Sequence, residues 1–595
     1  MDIPKRLDAL RACMEDKNID IYVIPTADFH QSEYVGEYFK ARMYLSGFTG
    51  SAGTLVVTKT WAGLWTDGRY FLQAEKELAK STIELMKMNE PGVPTIYEYV
   101  KEVLPVGGTL GFDGRVISCE EGREYEVVVK EKAGKIVTEY DLCDAIWTDR
   151  PSISKEPAFA LDIRYAGKST AEKLAELRRV MAKEGATLQI LTSLDDICWM
   201  LNIRGADVAY SPLVLSYLVI GMERVDFYVD EDKLDDFLRA SLEKDGVVFH
   251  PYNQIYHDTA RISEDETVML DPDKVNVSLY RAIPEGVRRI EMTNPQQLSK
   301  AIKNEVEIAN IRKAALWDSV AHVRFMKWLK ENYETLHITE ISAGERLDAY
   351  RAEFSAFLKP SFEPICAFGE HGAIVHYSST PETDVRLTGG KLFLTDTGGA
   401  YLEGSTDITR TYALGEIPQH MKEDFTLVAM GNLRLANATF LKGCSGVNLD
   451  MLARGPLWEH GKNYNHGTGH GVGYLLNIHE GPANIGWRVG KKCPTVLEQG
   501  MTLTDEPGYY EDGSHGIRLE NDLLVCEGEK TPYGHFLHFE VLTFVPFDLD
   551  AMNTELMTAE DKRYLNEYHT KVYEKVSPYL NAEEKLWLKK YTREI

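Results

Sequence analysis

Two segments that lie 167 residues apart share one order of apolar and polar positions. Residues 6–28 (RLDALRACMEDKNIDIYVIPTAD) and 173–195 (KLAELRRVMAKEGATLQILTSLD) each place apolar residues at helical spacing and then add a short apolar run. The helical period predicts a helix, and the runs at 19–24 and 188–191 predict buried strands. Each copy therefore predicts the opening of an α/β domain. Five identities in the 23 aligned positions fit either duplication or chance.

Two breaks in this pattern divide the chain. Residues 148–158, TDRPSISKEPA, carry proline and serine without an apolar period, which is typical of a loop. Asn294 and Pro295 interrupt a strand, and a long amphipathic helix is predicted to begin there and run through Trp317 to Trp328. Apolar residues at helical spacing after Thr558 predict a helical end. The expected domains are 1–158, 159–298 and 299–545, with a C-terminal helical extension over 546–595.

Composition narrows the function without defining it. A chain of 595 residues exceeds what one core supports, so several domains are expected. The formal net charge of -26 opposes binding to nucleic acid or to anionic lipid. The most apolar run, at 212–222, is shorter than the ~20 residues that a membrane span needs, and acidic residues interrupt the first 25 residues where an export signal would be apolar. Eight scattered cysteines with no C-x-x-C pair favour a reduced, cytoplasmic setting.

The first candidate functional segment is KLFLTDTGGAYLEGSTDITRTYALG, residues 391–415. Alternation predicts a strand that ends near Asp396 and a returning strand that includes Asp407, with a Gly-Gly turn between them. The two carboxylates would then lie side by side. Considered singly, Asp396 could begin an Asx turn and Asp407 could face solvent.

Two further segments add a histidine and two more carboxylates. In NHGTGHGVGYLLNIHEGP, residues 465–482, alternate glycines let His470 point into a cleft; the run lacks the spacing of a phosphate-binding loop. In TLTDEPGYYEDGSHGIRLENDLLV, residues 502–525, Glu506 is expected to end one strand. Arg518 and Glu520 are expected to share a face of the next strand, because they are two residues apart. A surface ion pair on a hairpin is the alternative.

Four carboxylates and one imidazole suit Mn²⁺, Co²⁺ or Zn²⁺ and leave room for two ions. Such a pair of ions activates a hydroxide near neutral pH and polarises a carbonyl. The predicted reaction class is metal-assisted hydrolysis. The five candidate ligands are Asp396, Asp407, His470, Glu506 and Glu520.

These motifs, at spacings of 11, 63, 36 and 14 residues, closely resemble those of the pita-bread metallopeptidases, and within them the long three-domain form of the aminopeptidase P (Xaa-Pro aminopeptidase) family. The resemblance implies an α/β (α+β) chain of two creatinase-like N-terminal domains, a pita-bread catalytic domain and a short helical extension. It also implies two divalent ions, most readily Mn²⁺. Asp396 would chelate one ion, Asp407 and Glu520 would bridge both, and His470 with Glu506 would complete the second.

The same resemblance assigns further roles around the cluster. Glu506 would act as the general base. From its spacing, Arg518 is expected to orient the neighbouring carboxylate of Glu520. His376 and His479 would steady the substrate carbonyl, and His466 would line the substrate pocket. As alternatives, His376 is a satisfied strand histidine and His479 a turn residue.

His371 and His515 receive no role, and His515 is expected on a surface hairpin. The segment at 195–205 resembles a family segment that faces the active-site region, while Trp199 is expected in a core.

The implied substrate is a peptide with proline at its second position, cleaved before that proline. The tertiary amide has no N–H and a fixed ring, which ordinary aminopeptidases bind badly. A prolidase acting on Xaa-Pro dipeptides is the alternative enzyme, and a catalytically inactive peptide-binding pita-bread module is the alternative outside catalysis. A homodimer is expected from the resemblance.

Overall fold

The computed structural model describes residues 2–490 and 494–595. It divides into two compact units. The first comprises residues up to 162 together with 168–297, and the second comprises 163–167 together with 298–595. The finer domain boundaries at 158 and 545 stay predictions. Seven cysteines within the described residues are free, whereas Cys493 lies outside them. No helix among the described residues is both long and apolar enough to cross a membrane.

The first unit opens with a six-stranded sheet. Its strands are β1 (Ile21–Pro25), β2 (Thr54–Thr58), β3 (Ala62–Thr66), β4 (Glu84–Lys87), β5 (Thr109–Gly111) and β6 (Lys135–Val137), in the order β4-β3-β2-β1-β5-β6. The accompanying helices are α1 (Ile3–Asp16), α2 (Ala41–Ser46), α3 (Phe71–Leu78), α4 (Ile96–Val103) and α5 (Cys119–Glu131). Leu7, Leu10 and Met14 of α1 are buried, as the helical period predicted.

A second six-stranded sheet follows in the same unit. Its strands are β8 (Leu188–Leu191), β10 (Ser216–Gly221), β11 (Val225–Val229), β12 (Val247–Pro251), β13 (Thr267–Leu270) and β14 (Arg288–Glu291). Two short strands, β7 (Phe159–Ala160) and β9 (Ile203–Arg204), form a separate pair. The helices here are α6 (Ile163–Ala166, which belongs to the second unit), α7 (Thr170–Glu184), α8 (Leu194–Leu201), α9 (Asp236–Lys244), α10 (Gln254–Thr259), α11 (Val277–Ala282) and α12 (Pro295–Ala301).

The two sheets have one topology. In the second sheet the order is β12-β11-β10-β8-β13-β14, so β8 takes the place of β1. Strand β1 pairs antiparallel with β2 and parallel with β5. In the same way, β8 pairs antiparallel with β10 and parallel with β13. The parallel and antiparallel pairings of the outer strands also correspond. The faint sequence repeat therefore marks two domains of the same fold, and duplication explains it better than chance.

The second unit contains the candidate ligands. Its elements in chain order are α13 (Glu305–Asn332), α14 (Glu340–Arg351), β15 (Phe357–Pro360), β16 (Ile365–Phe368), β17 (Lys391–Thr397), β18 (Gly399–Tyr401), β19 (Gly404–Ser405), β20 (Ile408–Leu414), α15 (Gln419–Ala436), β21 (Thr439–Leu441), α16 (Gly446–Trp458), β22 (Gly469–Val472), β23 (His479–Ile485), β24 (Thr502–Asp505), β25 (Gly508–Glu511), β26 (His515–Arg518), β27 (Asn521–Thr531), β28 (Gly534–Val541), α17 (Ala559–Val576) and α18 (Ala582–Tyr591).

Three sheets of this unit frame the cluster. The first has the order β16-β17-β20, the second is the pair β25-β26, and the third has the order β21-β28-β27-β24-β22-β23. Helix α15 supplies buried Phe425, Val428 and Leu433 to the core that also contains Ile517 and Leu519. The ligand-bearing strands are thus backed by an apolar layer, which fixes the position of their ends.

The long helix predicted from Pro295 to Trp328 is two helices, and the single-helix prediction is wrong. Helix α12 ends at Ala301, and α13 begins at Glu305. Between them Ile302 bridges to Met501 and the Lys303 N–H donates to the Gly500 carbonyl at 3.0 Å. The backbone therefore makes strand-like bonds where the helix would have needed its own. Asn304 then caps α13 through a capping box, which restarts the helix.

The C-terminal helix forms as the sequence predicted. Thr558 caps α17 through a capping box with Asp561. The apolar face of the helix is buried, and Tyr568 accepts a hydrogen bond from Arg410 of β20 at 2.8 Å. The extension is therefore tied directly to the strand that follows Asp407.

Candidate metal centre and active site

The first two carboxylates lie at the loop end of a β-hairpin. Strands β17 and β20 pair antiparallel, with Asp396 opposite Thr409, so Asp407 immediately precedes the returning strand. Both side chains are buried, and the predicted side-by-side placement is observed. One oxygen of Asp396, Oδ1, has no hydrogen-bond partner in the described structure. A buried carboxylate oxygen left in this state fits a ligand for a cation.

His470 lies on β22 and faces this hairpin. Its Nδ1 donates to the Gly471 carbonyl at 2.9 Å, which leaves Nε2 as the atom directed at the carboxylates. Nε2 lies 3.5 Å from Asp407 Oδ2 and 3.7 Å from Glu506 Oε1. The neighbouring glycines are required by close packing, since a Cβ on Gly469 would lie 2.0 Å from the Thr504 carbonyl oxygen.

The remaining carboxylates lie just after β24 and between β26 and β27. Glu506 follows the last residue of β24, and its Oε1 accepts from Thr504 at 3.3 Å. Glu520 accepts from Thr409 at 2.7 Å. Arg518 ends β26, whereas Glu520 lies between β26 and β27, so the expectation of one continuous strand is wrong. Both side chains nevertheless reach the same cluster.

Ligand atoms of the five predicted residues form overlapping groups whose members lie within 4.8 Å of one another. One group is Asp396, Asp407 and Glu520, a second is His470, Glu506 and Glu520, and a third joins Asp407 and His470 to His479. The rings of His470 and His479 are 4.3 Å apart. Shared carboxylates between neighbouring groups are what a pair of bridged ions requires.

Without a cation, the carboxylates of this cluster repel one another. Burial, and then the charge of Asp407, raise the pKa of Glu520 well above its usual range. Burial also raises the pKa of Asp396 and of Glu506, against the opposing effect of Arg518. Burial lowers the pKa of His470, but Asp407 and Glu506 outweigh it and raise the pKa to about 9. The donors present therefore fit divalent cations, which would relieve this repulsion.

Arg518 is the cation that the protein itself supplies. Its guanidinium donates to Asp396 Oδ2 through Nε at 3.2 Å and through Nη2. Its Nη1 donates to the Tyr510 hydroxyl at 2.7 Å, and that hydroxyl lies 2.9 Å from His466 Nε2. Arg518 thus holds one oxygen of Asp396 in place and leaves the other for a cation, whereas the carboxylate expected as its partner was Glu520.

The histidines outside the ligand set lie in different settings. His466 contacts Tyr510 and His479 contacts His470, so both lie beside the cluster. His376 is partly buried, in the loop after the turn at Gly369–Ala373. Among the described residues, none of the groups suited to hold a metal ion includes it. His371 contacts Glu340 at 2.8 Å, away from the cluster.

Two expectations about individual side chains have clear outcomes. Trp199 is buried, as predicted for a core aromatic. His515 does lie on a hairpin, β25-β26, but its side chain is fully buried, so the prediction of a surface position is wrong. The hairpin packs on α15, and the imidazole contacts Asp424 of that helix.

Sequence reasoning missed two buried carboxylates beside the ligands. Asp522 accepts from the Asp407 N–H at 3.2 Å, and both oxygens of Asp505 lack hydrogen-bond partners within the described part of the chain. Burial is the main cause that raises the pKa of both groups. The sequence did contain a signal for these two residues, because Asp505 directly precedes Glu506 and Asp522 follows Glu520 by two residues. Both aspartates lie in strands whose apolar pattern predicts burial.

The family comparisons agree with this fold and cluster. Residues 6–140 and 149–307 each match a creatinase/prolidase N-terminal domain, residues 309–527 match metallopeptidase family M24, and residues 535–595 match the C-terminal region of peptidase M24. The chain is 38% identical to aminopeptidase P2 of Arabidopsis thaliana over 99% of this chain and 88% of the relative. It is 38% identical to Xaa-Pro aminopeptidase 1 of Dictyostelium discoideum over 99% of this chain and 96% of the relative.

A solved structure covers the whole chain. The X-prolyl aminopeptidase of Caenorhabditis elegans, described as a cytosolic enzyme with a di-nuclear active site, superposes with a TM-score of 0.96 at 34% identity, covering 100% of both chains. The fold and the cluster define a pita-bread metallopeptidase with creatinase-like N-terminal domains. Within metallopeptidase family M24, the chain belongs to the Xaa-Pro aminopeptidases.

Proposed function

We propose that this protein removes the N-terminal residue from peptides of three or more residues whose second residue is proline. The observation that carries the proposal is the cluster of one imidazole and four carboxylates, held by paired strands and by Arg518. Relatives named for the same activity match nearly the full length of the chain. A prolidase reaction, limited to dipeptides, is the alternative.

The cluster has enough donors for two divalent ions. Asp396 would bind one ion, Asp407 and Glu520 would bridge both, and His470 with Glu506 would bind the second. Two bound ions supply an activated hydroxide and polarise the scissile carbonyl. Mn²⁺ is the proposed metal, because four carboxylate ligands favour a hard ion and the single imidazole does not select strongly for Zn²⁺.

The chain's own side chains then bind, orient and move protons. Glu506, next to the proposed nucleophile, would take its proton and return it to the departing amine of proline. His479, beside His470, and His376 would donate to the substrate carbonyl and to its developing charge. His466 and Tyr510 would line the substrate side of the site, where Tyr510 also receives a hydrogen bond from Arg518.

Selection for proline follows from the amide that must be cleaved. An Xaa-Pro bond has no N–H for a backbone-reading site and carries a fixed ring. The free amine of the peptide would lie near the cluster, where the negative charge favours an ammonium. We also propose a cytoplasmic homodimer, with no nucleic acid or membrane partner, in keeping with the net charge of -26.

The test uses tripeptides and dipeptides on one metal-depleted preparation. Arg-Pro-Pro should be cleaved to free arginine after Mn²⁺ is added and not before. Arg-Ala-Pro serves as the matched control and should be a poor substrate. Cleavage of Arg-Pro but not of Arg-Pro-Pro would favour the prolidase alternative. No cleavage of either peptide after metal loading would reject the peptidase proposal.

A further inference from the structure

A second cluster of metal-binding side chains lies outside the proposed catalytic centre. Nitrogen or carboxylate atoms of His420, Glu511 and His515 lie within 4.8 Å of one another. His420 lies in the first turn of α15, while Glu511 and His515 face each other across the β25-β26 hairpin. The three side chains therefore come from two separate elements and meet at the tip of the hairpin.

The buried member of this cluster has a carboxylate close to one of its two ring nitrogens. His515 is fully buried, and its Nε2 lies 3.3 Å from Oδ2 of the equally buried Asp424. Its Nδ1 points the other way, 2.8 Å from the Ser514 hydroxyl and 3.9 Å from Glu511 Oε2. A carboxylate beside Nε2 favours the tautomer that has its lone pair on Nδ1, where an ion would replace the Ser514 hydroxyl as the partner.

Asp424 also has a cationic partner on the side away from His515. Lys462 contacts the other oxygen of Asp424, so this lysine does not compete for the oxygen that faces the imidazole. The cluster offered to an ion consists of two imidazoles and one carboxylate.

We propose that His420, Glu511 and His515 form a third metal site, for Zn²⁺, with Asp424 as the residue that orients His515. Two imidazoles and one carboxylate with an open fourth position suit Zn²⁺. The carboxylate-rich catalytic cluster has a different preference. His420 and Glu511 are exposed, so their side chains are free to close the remaining distance by rotation. An ion here would tie the start of α15 to the tip of the hairpin, next to Tyr510, which receives a hydrogen bond from Arg518 at the other end of the hairpin.

The test measures Zn²⁺ bound to the Mn²⁺-loaded full-length protein. Equilibrium dialysis at increasing Zn²⁺, with both metals counted by mass spectrometry, should give one Zn²⁺ per chain before Mn²⁺ is displaced. His420→Ala and Glu511→Gln, which change exposed residues, should each weaken that binding by at least about tenfold. His460→Ala and Asp512→Asn remove an exposed histidine and an exposed carboxylate that lie outside the proposed ligand set and serve as matched controls that should bind Zn²⁺ as the wild type does.

A second readout reports directly on the hairpin. Amide hydrogen exchange at residues 511–515 should slow with Zn²⁺ in the wild type and stay unchanged in the His420→Ala and Glu511→Gln variants. Equal Zn²⁺ affinity in all five proteins would overturn the proposal. So would Zn²⁺ that binds only as Mn²⁺ leaves. Neither readout uses peptide cleavage, so failure here is distinct from failure of the proposed function.

Discussion

Arg351 lies against Asp318 in the interior of the second unit, with its Nε donating to Asp318 Oδ1 at 2.8 Å. The same guanidinium donates to Thr397 at 2.9 Å, and Thr406 donates to Asp318 Oδ2. Thr397 follows Asp396 and Thr406 precedes Asp407. A single ion pair between α13 and α14 therefore holds both ends of the loop that spaces two ligand carboxylates.

Breaking this ion pair should cost stability. Arg351→Met leaves a fully buried carboxylate unpaired, and loss of one partner of a buried pair costs about 3–5 kcal/mol. We expect a lower urea midpoint and weaker Mn²⁺ binding. Arg346→Met, an exposed change on the same helix, is the control. The double variant Asp318→Leu/Arg351→Met should regain part of the stability, because it leaves no isolated charge. An unchanged midpoint for Arg351→Met would contradict the role assigned to the pair.

The sequence predicted the ligand residues better than it predicted the buried ion pair that holds the loop between Asp396 and Asp407. Asp396 and Asp407, and likewise Glu506 and Glu520, lie in short segments whose alternation and turns fix their placement locally. Asp318 and Arg351 are 33 residues apart on two helices, and no local pattern pairs them.

The same distinction explains two of the three wrong predictions. The break between α12 and α13 depends on bonds from Ile302 and Lys303 to residues some 200 positions later. His515 is buried because a hairpin meets a helix that begins about 95 residues earlier. In each case a long-range contact overrode a local pattern, which periodicity does not report.

Removing Arg518 should weaken metal binding more than it weakens the fold. Arg518→Met deprives Asp396 of its only cationic partner among the described hydrogen bonds. Loss of a group that orients a metal ligand typically costs 10–100-fold in affinity, and we expect that range for Mn²⁺, measured by titration calorimetry. Tyr510→Phe is the matched control, since it removes a different hydrogen bond of the same guanidinium. Activity of Arg518→Met should recover at high Mn²⁺; failure to recover would assign Arg518 a role beyond orientation.

Mn²⁺ binding should strengthen as the pH rises. In the metal-free protein, the pKa values of Glu520 and Asp396 are raised, chiefly by burial, and that of His470 is raised to about 9 by Asp407 and Glu506. A raised pKa favours the protonated form of each group, and a cation that binds the deprotonated form competes with that proton. Each proton released makes the affinity change roughly tenfold per pH unit. Calorimetry at pH 6 and pH 8, in two buffers with different ionisation enthalpies, measures both affinity and proton release. An affinity independent of pH would exclude this linkage.

The carboxylate cluster should destabilise the protein when no metal is bound. Glu520 has a folded pKa raised above its unfolded value of about 4.3, so its unfavourable contribution is absent below that value and grows as the pH rises toward the folded pKa. Metal-free Glu520→Gln should therefore unfold at a higher temperature than the metal-free wild type at pH 8, and at nearly the same temperature at pH 4. With Mn²⁺ the order should reverse at pH 8, because the variant lacks a bridging ligand, and turnover should be lost.

Val525→Ala, a buried apolar change on β27, is the control and should lower the unfolding temperature with or without metal. If metal-free Glu520→Gln is also less stable than the wild type at pH 8, the electrostatic strain is relieved in some way other than by a cation.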